Sequence, residues 1–225
     1  MSVLATRGSL DAELKTLNEN ITRLSSMVHD ALSTAMDALE TQDLQKARNV
    51  VNGDEEINQL RYTIEQDCLR VLAIQQPQAS DLRRVVVITH IATELERIGD
   101  HASGISRLQL RMIEEGVVQI ESLHQLPKMG RRAAKMIRES VQAYLEEDVK
   151  LANKVIDRDN KIDRQYGRFS LIMFDTMDSA EEHVESRAPT YLLWMAHNLE
   201  RIGDRVTNIC ERIIFMVTGE WTEAD

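Results

Sequence analysis

The sequence predicts an all-α protein: two tandem three-helix bundles, six long helices in all, related by pseudo-twofold symmetry. Three observations carry this prediction. Glycine and proline number only 9 and 3 among 225 residues, too few turns for a β-sandwich or barrel. Apolar residues recur in alternating steps of three and four along most of the chain, which is the spacing of a bundle seam. The chain also repeats itself. Leu95-Glu96-Arg97-Ile98-Gly99-Asp100 recurs letter for letter as Leu199-Glu200-Arg201-Ile202-Gly203-Asp204.

The elements follow in order. The first seam is Leu10, Leu14, Leu17, Ile21, Leu24, Val28, Ala31, Ala35 and Ala38, with a break at Glu40-Thr41-Gln42-Asp43. The second is Ala47, Val50, Asp54, Ile57, Arg61, Ile64, Cys68 and Val71, ending before Gln75-Gln76-Pro77. A third helix starts near Ser80, a favourable cap, and runs to about Gly116. Ser122 and Gln125 read as a capping box, with Pro127 in the opening turn of a fourth helix. That helix has the seam Leu126, Met129, Ala133, Met136, Ser140 and Ala143. A fifth seam is Ala152, Val155, Asp159, Ile162, Tyr166, Phe169 and Met173. The polar stretch Asp178 to Ser186 precedes a sixth helix near 187–218, closed by Gly219. The stretch from Asp43 to Ile57 also aligns with that from Asp148 to Ile162. The two units therefore span roughly 9–116 and 120–219.

Charge and composition exclude several functions. Two cysteines, Cys68 and Cys210, make neither a disulfide framework nor a zinc cluster. No run approaches about 20 apolar residues, so no membrane insertion is expected. The first fifteen residues lack an apolar signal core, which predicts a reducing, cytoplasmic setting. A net charge of -10 argues against nucleic acid and anionic membranes and leaves proteins, cations or small ligands. Hydrolase, P-loop and dinucleotide motifs are absent from the sequence.

The carboxylates are the chemical signal. Glu96 and Asp100 stand four apart, hence on one helix face, as do Glu200 and Asp204. Asp54 and Asp159 each occupy an apolar seam, with Asn58 and Asp163 one turn on. Like charges at this spacing repel, and a buried unpaired carboxylate costs several kcal/mol or protonates. Arginine is one neutraliser: Arg97 and Arg201 adjoin the glutamates, and Arg61, Arg83 and Arg205 are further candidates. A metal ion is the other, because facing helices of a bundle build carboxylate metal sites. Oxygen-rich ligation suits Fe, Mn, Mg or Ca better than Zn or Cu. Gly99 and Gly203 sit inside long helices, where glycine costs about 1 kcal/mol relative to alanine. Either close helix approach or backbone access beside the acids explains such a repeat. His29, His90, His101 and His183 read as surface or cap residues, and Cys68 as a small buried apolar one.

The repeated signature resembles that of the PhoU family of phosphate-signalling regulators. The resemblance rests on Gln76-Pro77-Gln78-Ala79-Ser80-Asp81-Leu82-Arg83 and Glu94-Leu95-Glu96-Arg97-Ile98-Gly99-Asp100 in the first unit. In the second it rests on Glu200-Arg201-Ile202-Gly203-Asp204-Arg205 and Asn208-Ile209-Cys210-Glu211. It covers about Leu10 to Gly219. It implies a cytoplasmic, non-enzymatic negative regulator of the phosphate-starvation response and of phosphate uptake. The implied partners are the ATPase subunit of a phosphate ABC transporter, a phosphate-sensing histidine kinase and a second copy in a homodimer. It also implies metal clusters on Glu96, Asp100, Glu200, Asp204, Asp159 and Asp163, and on Asp54 with Asn58, where Asn58 departs from the acidic pattern. A metal-dependent hydrolase using the same carboxylates and a metal-free helical adaptor are the alternatives.

Overall fold

A computed structural model describes residues 3–117, 124–179 and 187–220, with side chains from residue 8 onward. Among the described residues there are six α-helices and no strand. They are α1 (Val3–Thr41), α2 (Leu44–Gln75), α3 (Ala79–Glu114), α4 (Gln125–Glu146), α5 (Val149–Asp178) and α6 (Arg187–Thr218). Ser122, half of the expected capping box, and His183 lie outside the described residues, while Gln125 and Pro127 do open α4.

The seams are the core. Leu17, Ile21, Leu24, Val28, Ile64, Ala152, Val155, Ile162, Phe169 and Met173 are all essentially inaccessible. Helices α1, α2 and α3 pack on one another, as do α4, α5 and α6. The two bundles meet through α3 against α6 and α1 against α4. Because two or three residues connect α1 to α2, α2 to α3 and α4 to α5, these neighbours run antiparallel.

The joints repeat as the seams do. Gln42 and Glu147 both end their helices in the left-handed region, at φ 57° and 53°. Asp43 and Asp148 follow as N-caps, each accepting hydrogen bonds from the backbone N–H groups two and three residues on. These pairs are 105 apart, and the same offset matches buried Leu24 to Met129, Val28 to Ala133 and Ala35 to Ser140. The α3 start differs from expectation. Ser80 falls inside the first turn, and Gln78 holds the cap position without a side-chain bond. Pro77 precedes it and cannot donate to a helical carbonyl, so α2 stops at Gln75 and the chain re-enters a helix before Ser80 is reached.

The α3–α6 contact shows the pseudo-twofold directly. The Arg205 guanidinium and the Asn208 amide both donate to Glu94 Oε2, at 3.4 and 3.2 Å. At the symmetry-equivalent place Asn198 faces His101 at 2.9 Å and lies against Gly104. The site is charged on one side of the axis and neutral on the other. His101, expected at the surface or at a cap, is instead partly buried here, and burial lowers its pKa. Its helix face turns toward the second bundle, which its own repeat does not reveal.

Candidate functional site

Each repeat packs its second helix against its third and brings the predicted acids together there. In the first repeat Asp54 on α2 faces Glu96 and Asp100 on α3, with Asn58 one turn on along α2. The Asp54 side chain is only 12% exposed, and the Arg107 guanidinium lies 3.2 Å from its Oδ2. Arg61 Nε approaches Glu96 Oε1 at 3.7 Å and also pairs with Glu65. Burial raises the Asp54 carboxyl above the ordinary range and Asp100 adds to it, while Arg107 opposes both. Glu96 follows the same pattern: burial raises it first, then Asp100, against the pull of Arg61 and Arg97.

In the second repeat Asp159 and Asp163 on α5 face Glu200 and Asp204 on α6. Here the two arginines that face the first seam have no counterpart, although Arg201 and Arg205 stand nearby. The positions of Arg61 and Arg107 are held by Tyr166 and Glu211. Asp159 receives one hydrogen bond, from the Thr207 hydroxyl at 3.1 Å. Its other oxygen, Oδ1, is buried without a partner. Burial, with Asp163 next, pushes the Asp159 pKa up to about 7. Burial also raises Asp163 and Glu200, each further raised by Asp204. His197 lies 3.2 Å from Glu200, and Arg201 pairs with Asp204 at 2.8 Å. A groove of about 390 Å³ opens beside this seam, lined by Asp159, Asp163, Asp204 and Glu211 together with Arg201 and Arg205.

The two helix-interior glycines have different causes. A Cβ on Gly99 would stand 3.2 Å from both Cδ1 and Cγ2 of Ile57, so that glycine permits close helix approach. A Cβ on Gly203 would overlap Asp159 Oδ1, so that glycine makes room for the carboxylate itself. Gly203→Ala therefore keeps the helix, where alanine is favoured by about 1 kcal/mol, but displaces the Asp159 carboxylate. Urea unfolding at pH 5 and pH 8 should show a flatter pH dependence for Gly203→Ala than for wild type. Gly99→Ala, which meets only Ile57 and Val28, should leave the pH dependence unchanged.

Several arginines go elsewhere than expected. Arg97 lies nearest Glu94, at 3.6 Å, rather than Glu96, and Arg205 reaches across to Glu94. Arg107 and Thr207 were not among the expected partners. Arg107 does stand on the acidic stripe, eleven residues or three turns after Glu96. As the side chains stand, no three His, Cys, Asp or Glu groups among the described residues converge to hold one ion.

Comparison with known proteins settles the family. The PhoU domain model matches residues 21–108 and again 126–213. The chain belongs to the PhoU family. It is 33% identical over 216 residues to the phosphate-specific transport system accessory protein PhoU homolog of Clostridium acetobutylicum, covering 96% of this chain and 97% of that one. It is 34% identical to PhoU of Escherichia coli K12 over 220 residues, covering 95% and 87%. The crystal structure of the phosphate transport system regulatory protein PhoU from Streptococcus pneumoniae superposes with a TM-score of 0.86 at 32% identity, covering 96% of this chain and all of that one. The PhoU-domain pair coincides with the repeat that places the two acidic seams.

Proposed function

We propose that this chain is a cytoplasmic accessory regulator of a phosphate transport system, repressing the phosphate-starvation response and limiting phosphate uptake. The observation that carries the reading is the paired PhoU domain over most of the chain, together with relatives named as accessory proteins of phosphate-specific transport. The role is regulatory and not catalytic: the chain links the ATPase subunit of the transporter to a phosphate-sensing histidine kinase, and a homodimer presents the docking faces. Exposed apolar side chains on the outer helices suit protein partners. Leu69 on α2 and Phe174 on α5, 66% and 50% exposed, occupy equivalent positions of the two repeats. No described helix is long and apolar enough to cross a membrane.

The two seams divide the labour of holding the bundles. In the first, Arg107 on Asp54 and Arg61 on Glu96 offset part of the charge. The second, with an unpartnered buried oxygen on Asp159 and four carboxylates, takes a hard cation such as Mg²⁺, Mn²⁺, Ca²⁺ or iron. Asp159, Asp163, Glu200 and Asp204 would hold it after side-chain reorientation, the exposed Asp163 being free to turn. The cation would supply charge neutralisation and fix α5 against α6. The functional test is deletion of the gene followed by a starvation reporter and phosphate uptake in replete medium. Derepression, restored by the wild-type chain, is expected, as is co-purification of the ATPase subunit and the kinase. An unchanged reporter with no such co-purification would refute the regulatory role.

A further inference from the structure

The acidic seams leave another feature unused. On the far side of the second bundle, α4 and α5 enclose a recess of about 210 Å³ with Met136 at its floor and Arg132, Lys135, Arg158 and Lys161 around it. Four cations at one place are unusual in a chain of net charge -10. Among the described residues one acid pairs with them there: Glu139 pairs with Arg158 and lies 3.9 Å from Lys135. Arg132, Lys135 and Lys161 are exposed, so their charge faces the solvent in the recess.

The pseudo-twofold supplies an internal comparison. The equivalent recess lies between α1 and α2 and is lined by Met27, Asp30, Gly53 and Glu56. At the offset of 105 these stand for Arg132, Lys135, Arg158 and Lys161 respectively, and Thr34 stands for Glu139. The backbone shape recurs while every basic residue is replaced by an acidic or an uncharged one. The recess thus recurs in both repeats, while the positive charge belongs to the second alone. Helix α4 as a whole carries five basic residues against two acidic, so the charge is concentrated rather than scattered.

We infer that the α4–α5 recess is a binding site for a small multivalent oxyanion of the phosphate class. Arg132 offers a forked donor, Arg158 adds a second guanidinium that Glu139 already holds in place, and two lysines add point charges, which is the chemistry that recognises phosphoryl groups. A recess of this volume suits one or two phosphoryl groups and is too small for an extended polyanion. It is separate from the carboxylate seam of the same repeat, so its occupancy does not depend on a bound cation.

The test is calorimetric titration of chelator-treated full-length protein with orthophosphate and with pyrophosphate at low ionic strength. Saturable binding is expected, tighter for pyrophosphate and weakened by added salt. The double variant Arg132→Ala/Lys161→Ala changes only exposed side chains and should bind roughly tenfold more weakly or worse. Arg201→Ala, in the groove beside the acidic seam, should bind as wild type does, which separates this site from the proposed cation seam. The inference is overturned by three results: no saturable binding of either anion, equal binding by the double variant, or an acidic peptide binding the recess more tightly than pyrophosphate.

Discussion

Asp159→Asn should make the metal-free protein more stable at pH 8 while leaving it close to wild type at pH 4. The Asp159 carboxyl has a folded-state pKa of about 7, far above its unfolded value near 3.9. Between these values the folded state binds the extra proton. Stability is therefore greatest below about pH 4, falls as pH rises toward 7, and stays lowered above it. The full shift overstates the effect because the group is partly exposed and solvent screens it. Discounted, the gain on removing the charge at pH 8 is about 1–2 kcal/mol. Thermal or urea unfolding across pH 4 to 8 reads this directly. A variant that is less stable than wild type at pH 8 would mean that the carboxylate is neutralised by a group within the chain.

The first repeat should respond in the opposite sense. The Asp54 side chain is only 12% exposed, yet Arg107 sits on it. Removing the guanidinium in Arg107→Ala leaves the carboxylate with no cation, and it must then protonate or draw in water. Breaking a buried pair on one side costs about 3–5 kcal/mol, but Arg107 is more than half exposed, so about 1–2 kcal/mol is expected at pH 7. The loss should shrink as pH falls and Asp54 is protonated. Asp54→Asn in the same background should recover most of the loss. If Arg107→Ala costs nothing, the first seam is not held by this ion pair.

Much of this was legible in the sequence because burial imposes periodicity. Each seam residue from Leu14 to Met173 reports a helix face, and the repeated Gly and acid positions report two equivalent places. Partner choice was less legible. Arg205 lies next to Asp204 in the sequence, but its guanidinium crosses to Glu94, since α3 and α6 meet on faces that neither repeat predicts alone. Arg107 is hard to read from the sequence because it stands three turns from the signature, where its equivalent in the second repeat is Glu211. Gly99 and Gly203 look identical in sequence. Only the packing distinguishes a glycine that admits Ile57 from one that admits a carboxylate. Ser80 failed as a cap because Pro77 had already set where the helix begins.

The asymmetry between the seams is tested most directly by metal content. Protein dialysed against Mn²⁺, desalted and analysed for bound metal should hold the ion in wild type and in Asp54→Asn/Glu96→Gln. It should lose it in Asp159→Asn/Glu200→Gln. Loss of metal in the first pair of substitutions with retention in the second, or no retention in wild type, would contradict a cation seated in the second repeat and arginine in the first.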